Sequence, residues 1–276
     1  MKKAILYTVM FVLLQMAVQF IVTVIWALVS PAGPEGADMA LQFSATGTQP
    51  TTLVVATGAF NLLTALLFMS LRWTPVAKTY IQRRPWDVAL WCVVAAAGTL
   101  VPSMWLQEQM PDLPDTVSQT MLQMMHVPGC FFVIAVLAPV CEEVVFRGAV
   151  LRALLRWMDN GERREGGTLT TRQWAAVALS ALLFALVHAN PAQMPHAFLI
   201  GMLLGWLFAR TGSIVPGTVL HVTNNTLAYM LAAAYPSEDI RLIDILGGQQ
   251  SAVAMAVAFS LMLLVPALYQ LHLRCR

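Results

Sequence analysis

Charge is what this sequence has least of. Asp, Glu, Lys and Arg together make up 11% of its 276 residues, against roughly 25% in a soluble globular domain. That density excludes an ordinary water-facing surface. With 58% hydrophobic residues and a mean hydropathy of +0.69, the chain reads as a polytopic membrane protein. A net charge of +2 and the lack of any basic patch interleaved with aromatics give no footing for nucleic acid. The four cysteines, Cys92, Cys130, Cys141 and Cys275, stand apart with no CxxC spacing, so they read as small buried thiols rather than metal ligands. No serine occupies a GxSxG turn and no HExxH is present, which removes the usual sequence signals for a serine nucleophile and for a zinc protease. Neither internal repeats nor low-complexity tracts divide the chain. A single integral membrane domain over 1–276 is expected.

What is present is a series of long apolar runs. A spanning helix needs about 20 mostly apolar residues, and that rule predicts an all-α fold of about eight transmembrane helices, at 4–29, 51–71, 86–106, 129–151, 173–190, 196–210, 214–234 and 251–270. The first run is too long for the core of a cleaved leader and is taken as a retained span. Basic residues sort to alternate connections. Lys2 and Lys3 precede the first span; Arg72, Lys78, Arg83 and Arg84 follow the second; Arg152, Arg156, Arg163, Arg164 and Arg172 follow the fourth. Arg210 follows the sixth, and Arg274 and Arg276 follow the eighth. Loops 30–50 and 107–128 have no Lys or Arg, and 235–250 has only Arg241. The positive-inside rule then puts both termini in the cytoplasm, with the plasma (inner) membrane as the expected location. Between the third and fourth spans, Val117, Met121, Met124 and Met125 form a stripe within 115–127. It is expected to be a helix lying on the outer membrane surface, with a substrate lid as the sharper reading.

Against that background, "APVCEEVVFRG" at 138–148 stands out. A charge at the centre of a membrane helix costs about 2.5–3.5 kcal/mol on insertion scales, so Glu142, Glu143 and Arg147 must do something. Glu143 and Arg147 are four apart and share a helical face, whereas Glu142 points about 100° away. This suggests a mutually neutralising Glu143–Arg147 brace with Glu142 turned to a cavity. Pro139 withholds a backbone N–H and favours a kink one turn earlier. Phe184 and His188 share a face by the same spacing, as do His221 and Asn225. Counting about 1.5 Å per residue from span midpoints puts Glu142, His221 and Asn225 near mid-depth and His188 about 9 Å further out. If these groups converge, a carboxylate and an imidazole can deprotonate water while a second imidazole and an amide donate to an oxyanion. Glu142, His188 and His221 also make a possible His/His/Glu zinc site, leaving Asn225 without a role.

Taken together, these segments resemble the CPBP family of CAAX proteases and bacteriocin-processing (Abi) enzymes, to which Ras-converting endopeptidase is related. The glutamate pair followed after three residues by arginine is matched by Glu142, Glu143 and Arg147. The phenylalanine four before a histidine is matched by Phe184 and His188, and the histidine four before an asparagine by His221 and Asn225. The resemblance covers about 138–230, within a core of about 129–234. It implies a glutamate-dependent intramembrane endopeptidase without a metal cofactor, in which Glu142 and His188 activate water, His221 and Asn225 hold the oxyanion, and Glu143 and Arg147 support the first motif. Its partners would be the lipid bilayer and a membrane-associated protein or peptide substrate. The resemblance does not transfer a prenylated substrate. Three alternatives use the same residues: a zinc-dependent peptidase, a non-catalytic peptide-binding or immunity protein, and a proton-coupled transporter. The transporter predicts two related halves with broken helices, which the sequence lacks.

Overall fold

The computed structural model describes residues 1–30, 32–33, 38–75, 80, 82, 85–158, 168–237 and 240–275. Lys78, Arg83, Arg84, Arg163, Arg164 and Arg276, counted among the basic loop residues, lie outside these. Among the described residues the structure is all-helical with no strand. Its helices are α1 (Lys2–Val29), α2 (Met39–Gly47), α3 (Pro50–Ser70), α4 (Trp86–Glu108) and α5 (Ser118–Met124), then a composite α6. Within α6, π-helical Phe132–Leu137 leads into α-helical Ala138–Glu142, then π-helical Glu143–Leu151 and α-helical Arg152–Met158. There follow α7 (Thr171–Leu186), α8 (Met194–Thr211), α9 (Val215–Ala234), α10 (Leu242–Ile245) and α11 (Gln250–Arg274).

Local sequence explains several of the ends. Thr170 and Gln173 form a reciprocal capping box at the start of α7, satisfying two otherwise orphaned N–H groups. Pro50 stands in the first turn of α3, where its missing N–H costs nothing. Gly212, at φ 65°, closes α8 in the left-handed conformation glycine tolerates. Between α4 and α11, Gly98 lets the backbones close up, since a Cβ there would meet Leu264 N at 2.8 Å. Small residues serve this purpose where helices associate in lipid.

Among the described residues, α1, α3, α4 and α11 are long and apolar enough to cross a membrane. Their outward faces expose large apolar side chains such as Leu13, Phe20, Phe259 and Met262, a surface suited to lipid rather than water. Of the about eight spans expected, four are thus met by length and composition. The difference lies in α6 to α9: α6 is divided into short π- and α-helical stretches, α7 is apolar but has only 16 residues, and α8 and α9 carry polar groups such as His196, His221 and Asn225. α6 packs against α1, α3, α7 and α9, α7 lies along α8, and α4 is flanked by α9 and α11. The predicted 173–190 run also ends early. The α-helix stops at Leu186, and Ala189 takes a positive φ of 51° in the turn that follows.

Segment 115–127, expected as a surface helix, packs against the bundle. Its helical part is short, Met124 is buried, and α5 packs on α3. Met121 and Met125 face inward over a cavity.

Candidate active site

Glu143 lies at the start of the second π-helical stretch of α6 and is fully buried with Arg147. Arg147 Nη1 sits 2.8 Å from Glu143 Oε1. Its Nη2 donates to the Gly201 carbonyl at 3.3 Å, and the guanidinium lies 4.4 Å from the centroid of the Phe184 ring. π-Helical turns are wider than α-helical ones and occur disproportionately at functional sites. Here the widened backbone is held by its neighbours: the Thr74 hydroxyl donates to Val144 O at 2.5 Å, and the Ser180 hydroxyl donates to Phe146 O at 3.2 Å.

His221, on α9, stands between the two glutamates. Its Nδ1 is 3.2 Å from Glu143 Oε1, and its Nε2 is 3.6 Å from Glu142 Oε2. A carboxylate already paired with arginine can only accept, so Nδ1 carries a proton and donates to Glu143. Nε2 is thereby directed at Glu142. Sequence spacing had joined Glu143 only to Arg147; the link to His221 crosses helices and leaves no trace in spacing. Gly217, one turn before His221, makes room for it. A Cβ there would fall 2.6 Å from Glu143 Oε2, a buried oxygen with no hydrogen-bond partner.

His188 lies in the turn after α7. The Phe184 carbonyl accepts from its Nδ1 at 2.7 Å, and the two rings stack edge to face at 4.8 Å. A carbonyl also can only accept, so the proton sits on Nδ1 and the Nε2 lone pair is left free. Asn225 Nδ2 donates to Ile134 O over a long 3.4 Å.

Glu142, His188, His221 and Asn225 all line one cavity of about 480 Å³, a size typical of ligand sites. Although a depth count set His188 apart, it lines the same cavity as the others, from the turn after α7 ends at Leu186. The division between the two glutamates is clear in exposure: the Glu142 side chain is 19% exposed and that of Glu143 is 0%. Sequence reasoning missed His196, Gln193 and Tyr229, which also line the cavity. His196 has only Gln193, three residues earlier, as a polar neighbour at helical spacing, and that pair matches none of the motifs. Among the described residues, no three His, Cys, Asp or Glu side chains gather so as to hold a metal ion.

The turn carrying His188 is tied to the loop beneath α5. Asn190 is fully buried; its amide donates to Asp115 Oδ1 and its oxygen accepts from Thr116 N, each at 3.2 Å. Burial pushes the Asp115 carboxyl up. Hydrogen bonds from the Ser118 hydroxyl, the Val117 and Ser118 backbone N–H groups and Asn190 outweigh it and hold the carboxyl below the ordinary carboxylate value.

A bundle of apolar helices that buries an ion pair and brings a carboxylate, two imidazoles and an amide to one cavity defines an integral membrane protein with a hydrolase-like site. Residues 125–227 match the family model of Rce1-like type II CAAX prenyl endopeptidases, a stretch that contains every motif residue quoted above. The match agrees with the resemblance read from the motifs and supports peptidase chemistry in general. No curated protein and no solved structure matches the chain.

Proposed function

We propose that this chain is an intramembrane endopeptidase that hydrolyses peptide bonds of a membrane-associated protein or peptide, with Glu142 as the general base. The observation that carries this reading is the shared cavity: Glu142, His188, His221 and Asn225 line it, and Glu143 with Arg147 is sealed behind them. Water held between Glu142 and the free Nε2 of His188 gives up a proton to Glu142 as its oxygen attacks the substrate carbonyl carbon. The carbonyl oxygen becomes an oxyanion and takes hydrogen bonds from His221 and Asn225. Expulsion of the amine breaks the C–N bond, with the proton returned to nitrogen. For His221 to donate through Nε2 while Nδ1 donates to Glu143, both ring nitrogens must carry a proton.

In the same reading α6, α7, α8 and α9 also cross the bilayer, giving eight spans with both termini cytoplasmic. Met121, Met125, Gln193 and Tyr229 are among the residues that line the cavity. These belong to connections and helix ends opposite those bearing the basic residues. Substrate would therefore enter from the side away from the cytoplasm. The test is a comparison of membrane and secreted peptides from cells carrying wild type or Glu142→Ala. Fragments present only with wild type support the reading; identical profiles, with both proteins equally abundant, count against a peptidase.

A further inference from the structure

At the opposite end of the bundle lies a second, larger cavity of about 1000 Å³. Three segments far apart in sequence supply its walls: the start of α1, the turn after α3 and the last turns of α6. Between them they bring five cations to one space, Lys2, Lys3, Arg72, Arg152 and Arg156, and no described carboxylate lines it. Among the described residues none of the five makes a hydrogen bond or ion pair. Other basic side chains at this end are satisfied: Arg274 Nε lies 3.1 Å from Asp87 Oδ2, and Arg210 donates to the Cys275 and His272 carbonyls. Arg152 and Arg156 are four apart on one helical face, where like charges repel. A fold that converges five unpaired cations leaves a repulsion that a bound anion would relieve.

The walls are fixed. Trp73 packs on Tyr7 at 4.9 Å and on Phe68 at 5.0 Å between ring centroids. The next residue, Thr74, is buried and bonded to Val144 O at 2.5 Å. Arg72 itself is set at φ 56°, a left-handed conformation that a non-glycine residue holds only under constraint from its surroundings. Trp73 and Trp157 at the cavity give it the aromatic character of a membrane–water interface. A cationic cavity at a helix-bundle end, walled by tryptophan and with no carboxylate among its described lining residues, has the chemistry of a phosphate-headgroup site.

We propose that this cavity binds the phosphate headgroup of an anionic membrane lipid, with Arg152 and Arg156 as its principal ligands and Lys2, Lys3 and Arg72 around them. The site is independent of the peptidase reading, and its test reads binding rather than turnover. Full-length protein, delipidated in detergent, is titrated with phosphatidylglycerol or phosphatidylcholine and followed by native mass spectrometry. Phosphatidylglycerol is expected to bind at least about tenfold tighter. At about fivefold per cation near a membrane surface, Arg152→Gln with Arg156→Gln weakens it by about 25-fold and Lys2→Gln with Lys3→Gln by a similar factor, while Arg172→Gln, away from the cavity, leaves it unchanged. The Lys2/Lys3 pair, at the exposed start of α1, keeps the test open if the arginine pair misfolds. Equal binding of the two lipids, or wild-type affinity in a folded double variant, overturns the proposal. Displacement of the lipid by millimolar inorganic phosphate reassigns the site to a soluble anion and overturns it equally.

Discussion

Two adjacent glutamates in one helix meet opposite surroundings, and that difference yields the sharpest predictions. Glu142 reaches the cavity, where its Oε2 lies 3.6 Å from His221 Nε2. Replacing it with Gln keeps the volume and removes the base, so peptide hydrolysis should fall by at least about 10²–10⁴-fold, the usual contribution of a positioned acid–base group. The thermal midpoint in detergent should stay near wild type. Glu143 is the reverse case. Its carboxylate neutralises Arg147 at 2.8 Å and holds His221 at 3.2 Å, and loss of one partner from a buried ion pair costs about 3–5 kcal/mol because the other charge is stranded. Glu143→Ala should therefore lower the thermal midpoint markedly, and Arg147→Met added to it should recover part of the loss. A Glu143→Ala protein as stable as wild type would show that the pair does not brace the helix.

At the scale of elements, the loop beneath α5 and the turn carrying His188 are joined through Asp115 and Asn190. Asp115 has a folded pKa below its unfolded one, so its contribution is complete above the ordinary aspartate value of about 3.9 and is lost as pH falls through the folded value. Hydrogen exchange across 113–118 should accelerate as Asp115 protonates at acid pH, and Asn190→Ala should produce the same acceleration at neutral pH. Exchange unchanged by either perturbation would separate the loop from the turn. These contacts also mark how far the sequence could be read. Helix–helix alternation, the Glu143–Arg147 pairing and the candidate groups Glu142, His188, His221 and Asn225 follow from composition and a 3.6-residue period. The π-helical widening of α6 does not, since it depends on tertiary partners such as Thr74 and Ser180. Nor do the role of Gly217, the bridging position of His221 and the presence of His196 in the cavity wall, because each arises from juxtaposition of separate helices. Hydropathy likewise predicted a helix to residue 190, where the turn at Ala189 instead brings His188 to the site.

For the whole molecule, the two cavities divide the described structure by charge: five cations with no partner among the described residues line one, and the polar groups Glu142, His188, His221 and Asn225 line the other. In the proposed orientation, with both termini cytoplasmic, Met121 and Gln193 at the polar cavity lie on the side away from the cytoplasm. The native cysteines are free and buried, which makes surface labelling informative. Gln123→Cys should react with an impermeant maleimide on intact cells, and Thr171→Cys only after permeabilisation; the reverse pattern would invert the topology.

Chelation, applied to the same variants, also distinguishes a metal-free glutamate base from zinc using the same side chains. The most direct measurement is cleavage of a peptide library by purified protein in detergent, wild type beside Glu142→Gln, each assayed before and after prolonged incubation with chelator. The account predicts cleavage by wild type in both conditions and none by Glu142→Gln in either. Cleavage by Glu142→Gln at the wild-type rate would contradict it.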